Sequence, residues 1–296
     1  MSEPDLRVHA VHTERGVVEP SLAGQFPDLQ VLTPRTVYAA GQLSLHARPD
    51  SASPQVTEAL HGEALDVLEE LQGDWAWART LHDGYLGYVH LKPDARPGEQ
   101  APAEPVTVQA PRTHLFAAPS IKAPVLTRLG RGAVLSALDP EPARHGEYLW
   151  WRVDLQGQEA FLHDAATRSA ASDLPTFAES YLHTPYVWGG RTAWGLDCSG
   201  LAQLWAGRDL QGRSWLPRDA DQQQAATTPV PHPEAGDLAF FPGHVGIMLA
   251  ERQMLHANAT HLRVTVETLG EGEYGRKLKT GLLGFGRLEG GRGSRP

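Results

Sequence analysis

The stretch YVWGGRTAWGLDCSGLAQLW, residues 186–205, decides the fold of the C-terminal part of this chain. Its first half contains three glycines, which indicate a tight loop because glycine adopts backbone conformations that other residues rarely reach. Its second half begins the segment SGLAQLWAGRDL (199–210), whose apolar residues recur at helical spacing. Cys198 stands where the loop ends and the predicted helix begins.

A thiol at the start of a helix faces unpaired backbone N–H groups and the positive end of the helix dipole. Both favour the thiolate, which is the nucleophilic form of cysteine, and the same N–H groups can hold an oxyanion. Cys198 is the only cysteine among 296 residues, so the chain forms no internal disulfide. A buried, inert cysteine is the alternative and the commoner fate of a lone cysteine. Because the flanking Asp197 and Ser199 suit an apolar core poorly, the sequence favours a catalytic thiol.

A cysteine nucleophile needs an imidazole as charge partner and proton donor, and the chain has 14 histidines. His244 opens the apolar segment HVGIML, and His256 follows 12 residues later in QMLHA. Side chains alternate along a strand, so the two rings share a face of the hairpin if the turn has an odd number of residues. We expect His256 to orient His244, as an Asp or Asn does in other triads. A structural role for either histidine is the alternative.

The region around this hairpin reads as an α+β domain. A helix is predicted over 174–183, before the helix that follows Cys198. The segments DLAFF, HVGIMLA, QMLHA, RVTVE and GLLGFGRL then read as successive strands. Helices followed by strands within one segment indicate an α+β architecture.

The N-terminal half contains an internal repeat, because residues 43–91 resemble residues 113–163. Each copy has a tryptophan pair, WAW in the first and WW in the second, and each ends in a hydrophobic strand that closes with histidine. Period-2 patterning with Gly and Pro every 8–12 residues is typical of a small all-β barrel. The repeat therefore predicts two barrels; one larger β-sandwich is the alternative. The stretch PDARPGEQAPAEP, residues 93–105, is typical of a linker.

The sequence thus predicts a multidomain chain of two small all-β barrels followed by an α+β domain. The predicted boundaries are 1–30 for an N-terminal extension, 31–98 and 105–168 for the barrels, 172–288 for the α+β domain and 289–296 for a disordered tail.

Composition excludes several functions. The chain carries 26 basic and 35 acidic residues, a net charge of −9, which argues against nucleic acid as a partner. The sequence contains no run of 18 apolar residues, so no membrane-spanning segment is predicted. Metal catalysis is excluded because H-E-x-x-H and paired cysteine motifs are missing, and we expect no cofactor. The opening MSEPDLRVHAVHTERG has no secretory signal, which favours the cytoplasm; a misassigned start and an enzyme of the cell envelope are the alternative.

Four motifs carry a resemblance to a known family. They are LDCSGL (196–201), GDLAFF (236–241), HVGI (244–247) and LHA (255–257). Their order strongly resembles the NlpC family of bacterial cell-wall cysteine peptidases, which are papain-like and cut peptidoglycan stem peptides. The resemblance implies that Cys198 is the nucleophile, His244 the base and His256 the orienting residue. The two β repeats resemble the bacterial SH3-type barrels that often precede this domain.

The resemblance also implies substrate-binding residues. Tyr186 matches a tyrosine placed beside the nucleophile, where its hydroxyl assists the oxyanion. Asp197 and Ser199 flank the cysteine where the family binds substrate. Trp188 would form a pocket wall, with plain packing as the alternative. Arg218, in the loop L-P-R-D, would contact a substrate carboxylate, with an exposed structural salt bridge as the alternative.

Two barrels before such a domain most resemble the γ-D-glutamyl-diamino acid dipeptidyl peptidases. Those enzymes act on freed murein peptides with an unblocked N-terminal L-alanine, and their first barrel reads the amine. The resemblance implies that Tyr85, in DGYLGY, serves this purpose with Glu58, or in second place Glu63. A barrel-surface tyrosine and solvated glutamates are the alternative. A carboxylate buried against an ammonium rejects capped substrates, because a capped amine leaves the carboxylate unpaired.

Three functions fit this sequence: a peptidase that recycles murein peptides, a secreted wall-remodelling endopeptidase of the same chemistry, and a binding protein with an inert thiol. We expect a monomer that binds a small murein peptide, without a nucleic acid or membrane partner. The third residue of that peptide can be lysine, diaminopimelate or ornithine.

Overall fold

The computed structural model describes residues 3–91, 100–168, 173–209 and 211–288. The expected C-terminal tail, most of the expected linker (its residues 93–99) and the predicted helix end at Leu210 lie outside these residues. The chain forms two compact units. The N-terminal unit comprises residues 1–108 and 114–167, and the C-terminal unit comprises residues 109–113 and 168–296.

The described part of the N-terminal unit is built from short strands. These are β1 (Val11–His12), β2 (Val17–Val18), β3 (Gln30–Val31), β4 (Arg35–Tyr38), β5 (Leu43–His46), β6 (Gln55–Ala59), β7 (Ala64–Glu70), β8 (Trp75–Thr80), β9 (Leu86–His90), β10 (Pro105–Thr107), β11 (Arg112–Phe116), β12 (Val125–Gly130), β13 (Val134–Ala137), β14 (Ala143–His145), β15 (Tyr148–Leu155) and β16 (Gln158–His163).

Strands β4 to β9 form a six-stranded sheet in the order β4-β7-β8-β9-β5-β6. The period-2 pattern decides which side chains form its core: in β5, Leu43 and Leu45 are buried, whereas Ser44 and His46 are only half-buried. Glycine is required in β9, because a Cβ on Gly87 would lie 2.9 Å from the Cβ of Leu45. This sheet is the first barrel.

Strands β10 to β16 form the second barrel in the order β10-β13-β15-β16-β11-β12, with β14 added beside β15. Strand for strand, this path repeats the path of the first barrel. The two repeats therefore form two separate all-β sheets of the same strand order, as the repeat predicted, and not one larger β-sandwich.

The segment before the first barrel forms a small sheet of its own, with β1 antiparallel and β3 parallel to β2. Its Ala10 and Val17 pack against Trp77 of the first barrel. The buried carboxylate of Glu19 accepts the Ala10 N–H at 2.9 Å and pairs with Arg79 of β8. The residues expected as an N-terminal extension are thus attached to the first barrel by apolar packing and by an ion pair.

The two barrels touch within the N-terminal unit. The backbone N–H of Val134 donates to the carbonyl of His61 at 2.8 Å, and the side chain of Gln156 donates to the carbonyl of Ala40 at 2.8 Å. Gly62 has φ +77°, and a Cβ there would collide with the Val134 carbonyl oxygen. Glycine is therefore required here both for its backbone conformation and for the close approach of the barrels.

The C-terminal unit has an α+β fold, as predicted. Its elements are α1 (Leu174–Tyr181), β17 (Arg191–Thr192), β18 (Gly195–Leu196), α2 (Cys198–Ala206), α3 (Ala220–Ala225), β19 (Thr228–Val230), β20 (Leu238–Phe241), β21 (His244–Met248), β22 (Gln253–Asn258), β23 (Arg263–Thr268), α4 (Gly272–Gly281) and β24 (Gly284–Arg287). The main sheet has the order β19-β24-β20-β21-β22-β23. The predicted helix after the cysteine is shorter than expected, because Gly207 (φ +82°) ends it.

The main sheet is buried on both faces, which its central strand β20 illustrates. Leu238 and Phe240 belong to the core that includes the apolar faces of α1 and α2, whereas Ala239 and Phe241 pack with Leu278 of α4. Alternation along the strand thus supplies both cores. None of the helices within the described ranges is long and apolar enough to cross a bilayer.

Candidate active site

Cys198 is the first residue of α2, and the residue before it caps the helix. Oδ1 of Asp197 accepts the Gly200 N–H at 2.7 Å, and Oδ2 accepts the N–H of Gly189 in the preceding loop at 2.9 Å. A Cβ on Gly200 would collide with the Gly190 carbonyl oxygen, so the loop lies directly against the first turn. The cap and the loop together hold the thiol at the helix N-terminus, where it is 8% exposed.

Strand β21 brings the residue that follows the first histidine close to this thiol. Helix α2 packs against β21, and the backbone N–H groups of Val245 and Ser199 act to lower the pKa of Cys198, which places both near its sulfur. His244 immediately precedes Val245 and opens the strand. Two backbone donors and an imidazole-bearing residue therefore converge on the region of the sulfur.

The two histidines of the hairpin meet, as the alternation of side chains required. Nε2 of His244 lies 2.8 Å from Nδ1 of His256, and the ring of His256 is fully buried. This contact occupies one nitrogen of His244 and holds its ring. The ring of Tyr274 in α4 stacks on His256 with centroids 5.8 Å apart.

Burial decides the protonation of these groups. Burial and, to a smaller extent, the charge of Asp197 raise the pKa of the Cys198 thiol to about 12, against the opposing effect of backbone N–H groups and of Arg218. Burial lowers the pKa of His244 to about 4, against the charge of Asp197, and that of His256 to about 3. Desolvation therefore opposes the thiolate that the helix N-terminus favours, and it favours a neutral thiol and neutral imidazoles in the free protein.

A neutral thiol beside a neutral imidazole suits general-base catalysis, in which the proton leaves sulfur as the sulfur attacks. Burial raises the pKa of the Tyr186 phenol. The carboxylate of Asp197 and the ionised form of Cys198 act in the same direction, so Tyr186 belongs to the same electrostatic environment. The phenol is therefore a neutral O–H donor at physiological pH. The site combines a thiol, a histidine pair, backbone N–H donors and a phenol.

Arg218 differs from the expectation of a substrate contact or an exposed salt bridge. It is 1% exposed, and its guanidinium binds both carboxylate oxygens of Asp197, at 3.0 and 2.5 Å. It also donates to Oγ of Ser199 at 2.7 Å. The carboxylate of Asp197 and the hydroxyl of Ser199, expected to face substrate, are therefore turned inward and engaged within the protein.

Trp188 stands on the outer side of the glycine-rich loop and is 62% exposed. Its position excludes the alternative of plain core packing.

The residues expected to bind the substrate's amine all lie in the first barrel, which belongs to the N-terminal unit. Tyr85 and Glu58 are 7% and 6% exposed, and the Glu58 carboxylate accepts from the side chain of Gln42 at 2.8 Å. Glu63 is 6% exposed, and its carboxylate accepts the Leu60 N–H at 2.8 Å. The alternative of solvated glutamates is therefore wrong for both acids.

Three residues around the site were missed by the sequence reasoning. The side chain of Gln223 donates to the carbonyl oxygens of Ser199 and Pro217, at 3.0 and 2.9 Å. Tyr274 stacks on His256, and Nδ2 of Asn258 lies 3.3 Å from Nε2 of the same ring. Asn258 was available from the pattern, because it stands two residues after His256 and so shares its face of the strand.

Among the residues that the structure describes, no group of three or more His, Cys, Asp or Glu side chains is arranged to hold a metal ion.

Two parts of the chain match known protein families. Residues 183–281 match the NlpC/P60 family, and residues 45–92 match the bacterial dipeptidyl-peptidase Sh3 domain. The first match contains Cys198, His244 and His256, and the second contains Tyr85, Glu58 and Glu63.

Similar proteins extend this likeness over most of the chain. Dipeptidyl-peptidase 6 of Lysinibacillus sphaericus is 27% identical over 273 residues, which cover 85% of this chain and 98% of the relative. The gamma-D-glutamyl-L-lysine dipeptidyl-peptidase of Bacillus subtilis (strain 168) is 34% identical over 121 residues, which cover 38% of this chain and 40% of the relative. A crystal structure of an NlpC/P60 family protein from Bacillus cereus ATCC 10987 shares the fold, with a TM-score of 0.64 at 22% identity, and covers 86% of this chain and 99% of that chain.

Proposed function

We propose that the chain hydrolyses the γ-D-glutamyl–diamino acid bond of freed peptidoglycan stem peptides. Residues 183–281 form an NlpC/P60 domain that follows an SH3-type region in the sequence, and the chain is a cysteine peptidase. The observation that carries the proposal is the 2.8 Å contact between His244 and His256, on the strands that follow the cysteine helix. A thiol that served only as a small buried side chain would not require a buried histidine pair beside it.

In the proposed acylation, the sulfur of Cys198 attacks the carbonyl carbon of the γ-glutamyl bond while its proton passes to His244. The carbonyl π electrons move to oxygen, and backbone N–H groups at the start of α2 and the phenol of Tyr186 stabilise that charge. Collapse breaks the C–N bond, and His244 returns the proton to the leaving amine. A thioester on Cys198 remains.

In the proposed deacylation, water attacks the thioester and gives its proton to His244. The C–S bond breaks, the peptide leaves with a new carboxylate, and the sulfur takes the proton back as a thiol. The neutral state of His244 near pH 7 supports this role, because only an uncharged imidazole accepts a proton.

The choice of substrate is supported by the relatives. Two of the similar proteins carry the name gamma-D-glutamyl-L-lysine dipeptidyl-peptidase, and the SH3-type match over residues 45–92 is to a domain of bacterial dipeptidyl-peptidases. We therefore extend the proposal to a peptide with a free N-terminal L-alanine, read by Glu58 and Tyr85 of the first barrel. An ammonium ion compensates a buried carboxylate, whereas an acetylated amine does not.

The test is incubation of the full chain with free L-Ala-γ-D-Glu-diamino acid tripeptide and, separately, with its N-acetylated form. Products are identified by mass spectrometry, with lysine, diaminopimelate and ornithine compared as the third residue. Cys198→Ala, which removes the nucleophile, is the matched control. We expect L-Ala-D-Glu and the diamino acid from the free peptide alone, and a loss of at least about a thousandfold in Cys198→Ala.

Two results would count against the proposal. Equal cleavage of both peptides would remove amine recognition and favour a wall-remodelling endopeptidase. Undiminished cleavage by Cys198→Ala would remove the cysteine mechanism itself.

A further inference from the structure

The His244–His256 pair has a third polar neighbour, which no motif assigns. We propose that Asn258 is a positioning residue that fixes the tautomer of the histidine pair in the free enzyme, through an amide N–H donated to Nε2 of His256. The inference rests on the proposed role of His244 as the base of Cys198.

The orientation of the Asn258 amide is determined by backbone groups of known polarity. Its Oδ1 accepts the N–H of His261 at 2.9 Å. One N–H of Nδ2 donates to Oγ1 of Thr265 at 2.8 Å, and the other is shared between the carbonyl oxygen of Arg263 and Nε2 of His256, each at 3.3 Å. A backbone N–H only donates and a carbonyl only accepts, so the reversed amide would oppose both. Nδ2 therefore faces His256.

This orientation assigns the proton of His256. Nδ2 of Asn258 lies 3.3 Å from Nε2 of His256, so Nε2 is the accepting nitrogen and the ring proton of the neutral imidazole is on Nδ1. Nδ1 in turn donates to Nε2 of His244 at 2.8 Å. The neutral ring of His244 then carries its own proton on Nδ1, the nitrogen turned away from His256.

Burial makes the assignment effective. His256 is fully buried and Asn258 is 2% exposed, so bulk water does not replace the amide as a partner of the ring. Two donors facing each other at this depth would cost about as much free energy as a lost buried hydrogen bond. The tautomer is therefore coupled to the amide.

The consequence concerns the thiol. To take a proton from Cys198 on Nδ1, His244 must carry its own proton on Nε2 and donate it to Nδ1 of His256. The proton of His256 must then be on Nε2, where it would meet the amide N–H of Asn258. Asn258 thus holds the free enzyme in a tautomer that does not activate the thiol, and the pair rearranges for catalysis.

An aspartate at this position reverses the preference without changing the shape of the side chain. One carboxylate oxygen keeps the N–H of His261. The other accepts the proton on Nε2 of His256 and the hydroxyl proton of Thr265, and these two donors offset its repulsion by the carbonyl oxygen of Arg263. Nδ1 of His256 is then free to accept from Nε2 of His244, which favours proton uptake by His244 and thiolate at Cys198.

Other charged and titratable groups surround the pair and define the control. Tyr274 of α4 stacks on His256, and the ring of His261 acts to lower the pKa of His256. Asp197, the N-cap of α2, acts against the lowering of the His244 pKa by burial. Glu267 of β23 lies 3.2 Å from Oγ1 of Thr265 and 3.2 Å from Nε2 of His261, without touching the pair itself. Glu267→Gln therefore changes charge in the same region and leaves the Asn258 amide in place.

The direct test is two-bond ¹H–¹⁵N NMR of the full chain labelled with ¹⁵N-histidine, with His256 assigned by comparison with His256→Gln. Wild type and Glu267→Gln should show His256 protonated on Nδ1, and Asn258→Asp should show it protonated on Nε2. Protonation on Nε2 in wild type would overturn the inference.

The second test is alkylation of Cys198 by iodoacetamide as a function of pH, which needs no peptide substrate. Asn258→Asp should lower the apparent pKa of alkylation by about one unit, a rate about tenfold higher at pH 7. Asn258→Ala should shift it in the same direction by less, because it removes the N–H without adding a charge. Identical profiles for wild type and both variants, with circular dichroism confirming folding, would overturn the inference.

The outcomes separate this inference from the proposed function. A shifted alkylation profile without tripeptide cleavage would leave the inference standing and remove the substrate. Tripeptide cleavage with an unshifted profile would do the reverse.

Discussion

The guanidinium of Arg218 binds both oxygens of the Asp197 carboxylate, at 3.0 and 2.5 Å, directly beside the nucleophile. With the further bond to Ser199, this buried pair grips both neighbours of Cys198 in the chain. Removal of one partner would leave an uncompensated buried charge, which costs far more than the net contribution of the pair. The position of the nucleophile thus depends on an ion pair that no substrate needs to touch.

The substitution Arg218→Met tests this dependence. We expect it to lower the free energy of unfolding of the C-terminal unit by about 3–5 kcal/mol, measured by urea denaturation, because Asp197 is left charged and buried. The control is Arg213→Met, which removes an exposed salt bridge to Asp209 and should cost much less. Equal losses in the two variants would show that the buried pair has no special role.

The histidine pair predicts how stability depends on pH. The folded-state pKa values of His244 and His256 are lowered to about 4 and about 3 by burial, from 6.5 in the unfolded chain. The unfolded chain therefore binds more protons below pH 6.5, so their contribution is fully present above that pH and is lost as pH falls towards 4. Urea midpoints measured from pH 7.5 to 4.5 should fall less steeply in His256→Asn than in wild type.

The exposed His145 provides the control for that measurement. His145→Asn should leave the pH dependence of the urea midpoint as it is in wild type. Parallel curves for His256→Asn and wild type would contradict the assignment of the acid sensitivity to the buried pair.

The proposed amine recognition by the first barrel predicts that substitution of its acidic residue weakens the discrimination between free and N-acetylated tripeptide. Glu58→Gln keeps the shape of the side chain and removes its charge, so it should lower the preference for free over N-acetylated tripeptide by at least about tenfold. Tyr85→Phe should act in the same direction. The measurement is kcat/KM for each peptide. The matched variant is Glu63→Gln: an effect there, with none in Glu58→Gln, would transfer the role to Glu63.

The junction of the barrels predicts a difference between two glycines with similar backbone conformations. Gly62 (φ +77°) lies against the Val134 carbonyl, whereas Gly146 (φ +62°) has nothing within 4 Å of a built Cβ. Alanine at either site costs about 1–2 kcal/mol for the left-handed backbone. Gly62→Ala must also displace the second barrel, so thermal denaturation should show a larger loss of stability than in Gly146→Ala. Equal losses would mean that the barrel contact contributes little.

The barrels were predictable because their pattern is local and occurs twice. The alternation of buried and half-buried residues in β5 follows from its sequence, LSLH. The internal repeat indicates that both copies have the same strand order. Helix α4 was missed because GEYGRKLKTG contains three glycines, which are poor helix formers. This helix is stabilised by the packing of Leu278 and Tyr274 against the sheet. Local helix propensity does not predict such a tertiary contact.

The features of the site that depend on strand periodicity could be predicted from the sequence. The prediction failed for the features that depend on burial. His244 and His256 share a face because the hairpin alternates, and their contact follows. Arg218 was expected to face substrate, yet it is turned inward by Asp197, which lies 21 residues earlier in the chain. No local pattern predicts which of two charged residues will meet across that separation.

The sequence by itself determined the identity of the only available thiol, the repeat that yields two barrels, and the placement of two histidines on one face of a hairpin. These follow from residue type and from periods of two and 3.6, which are properties of neighbouring residues. Only the tertiary structure decided that burial raises the pKa of the thiol, that Arg218 supports its neighbours, and that an asparagine amide faces the histidine pair. Those outcomes depend on how far each group is removed from water and on which distant group lies within hydrogen-bonding distance of it.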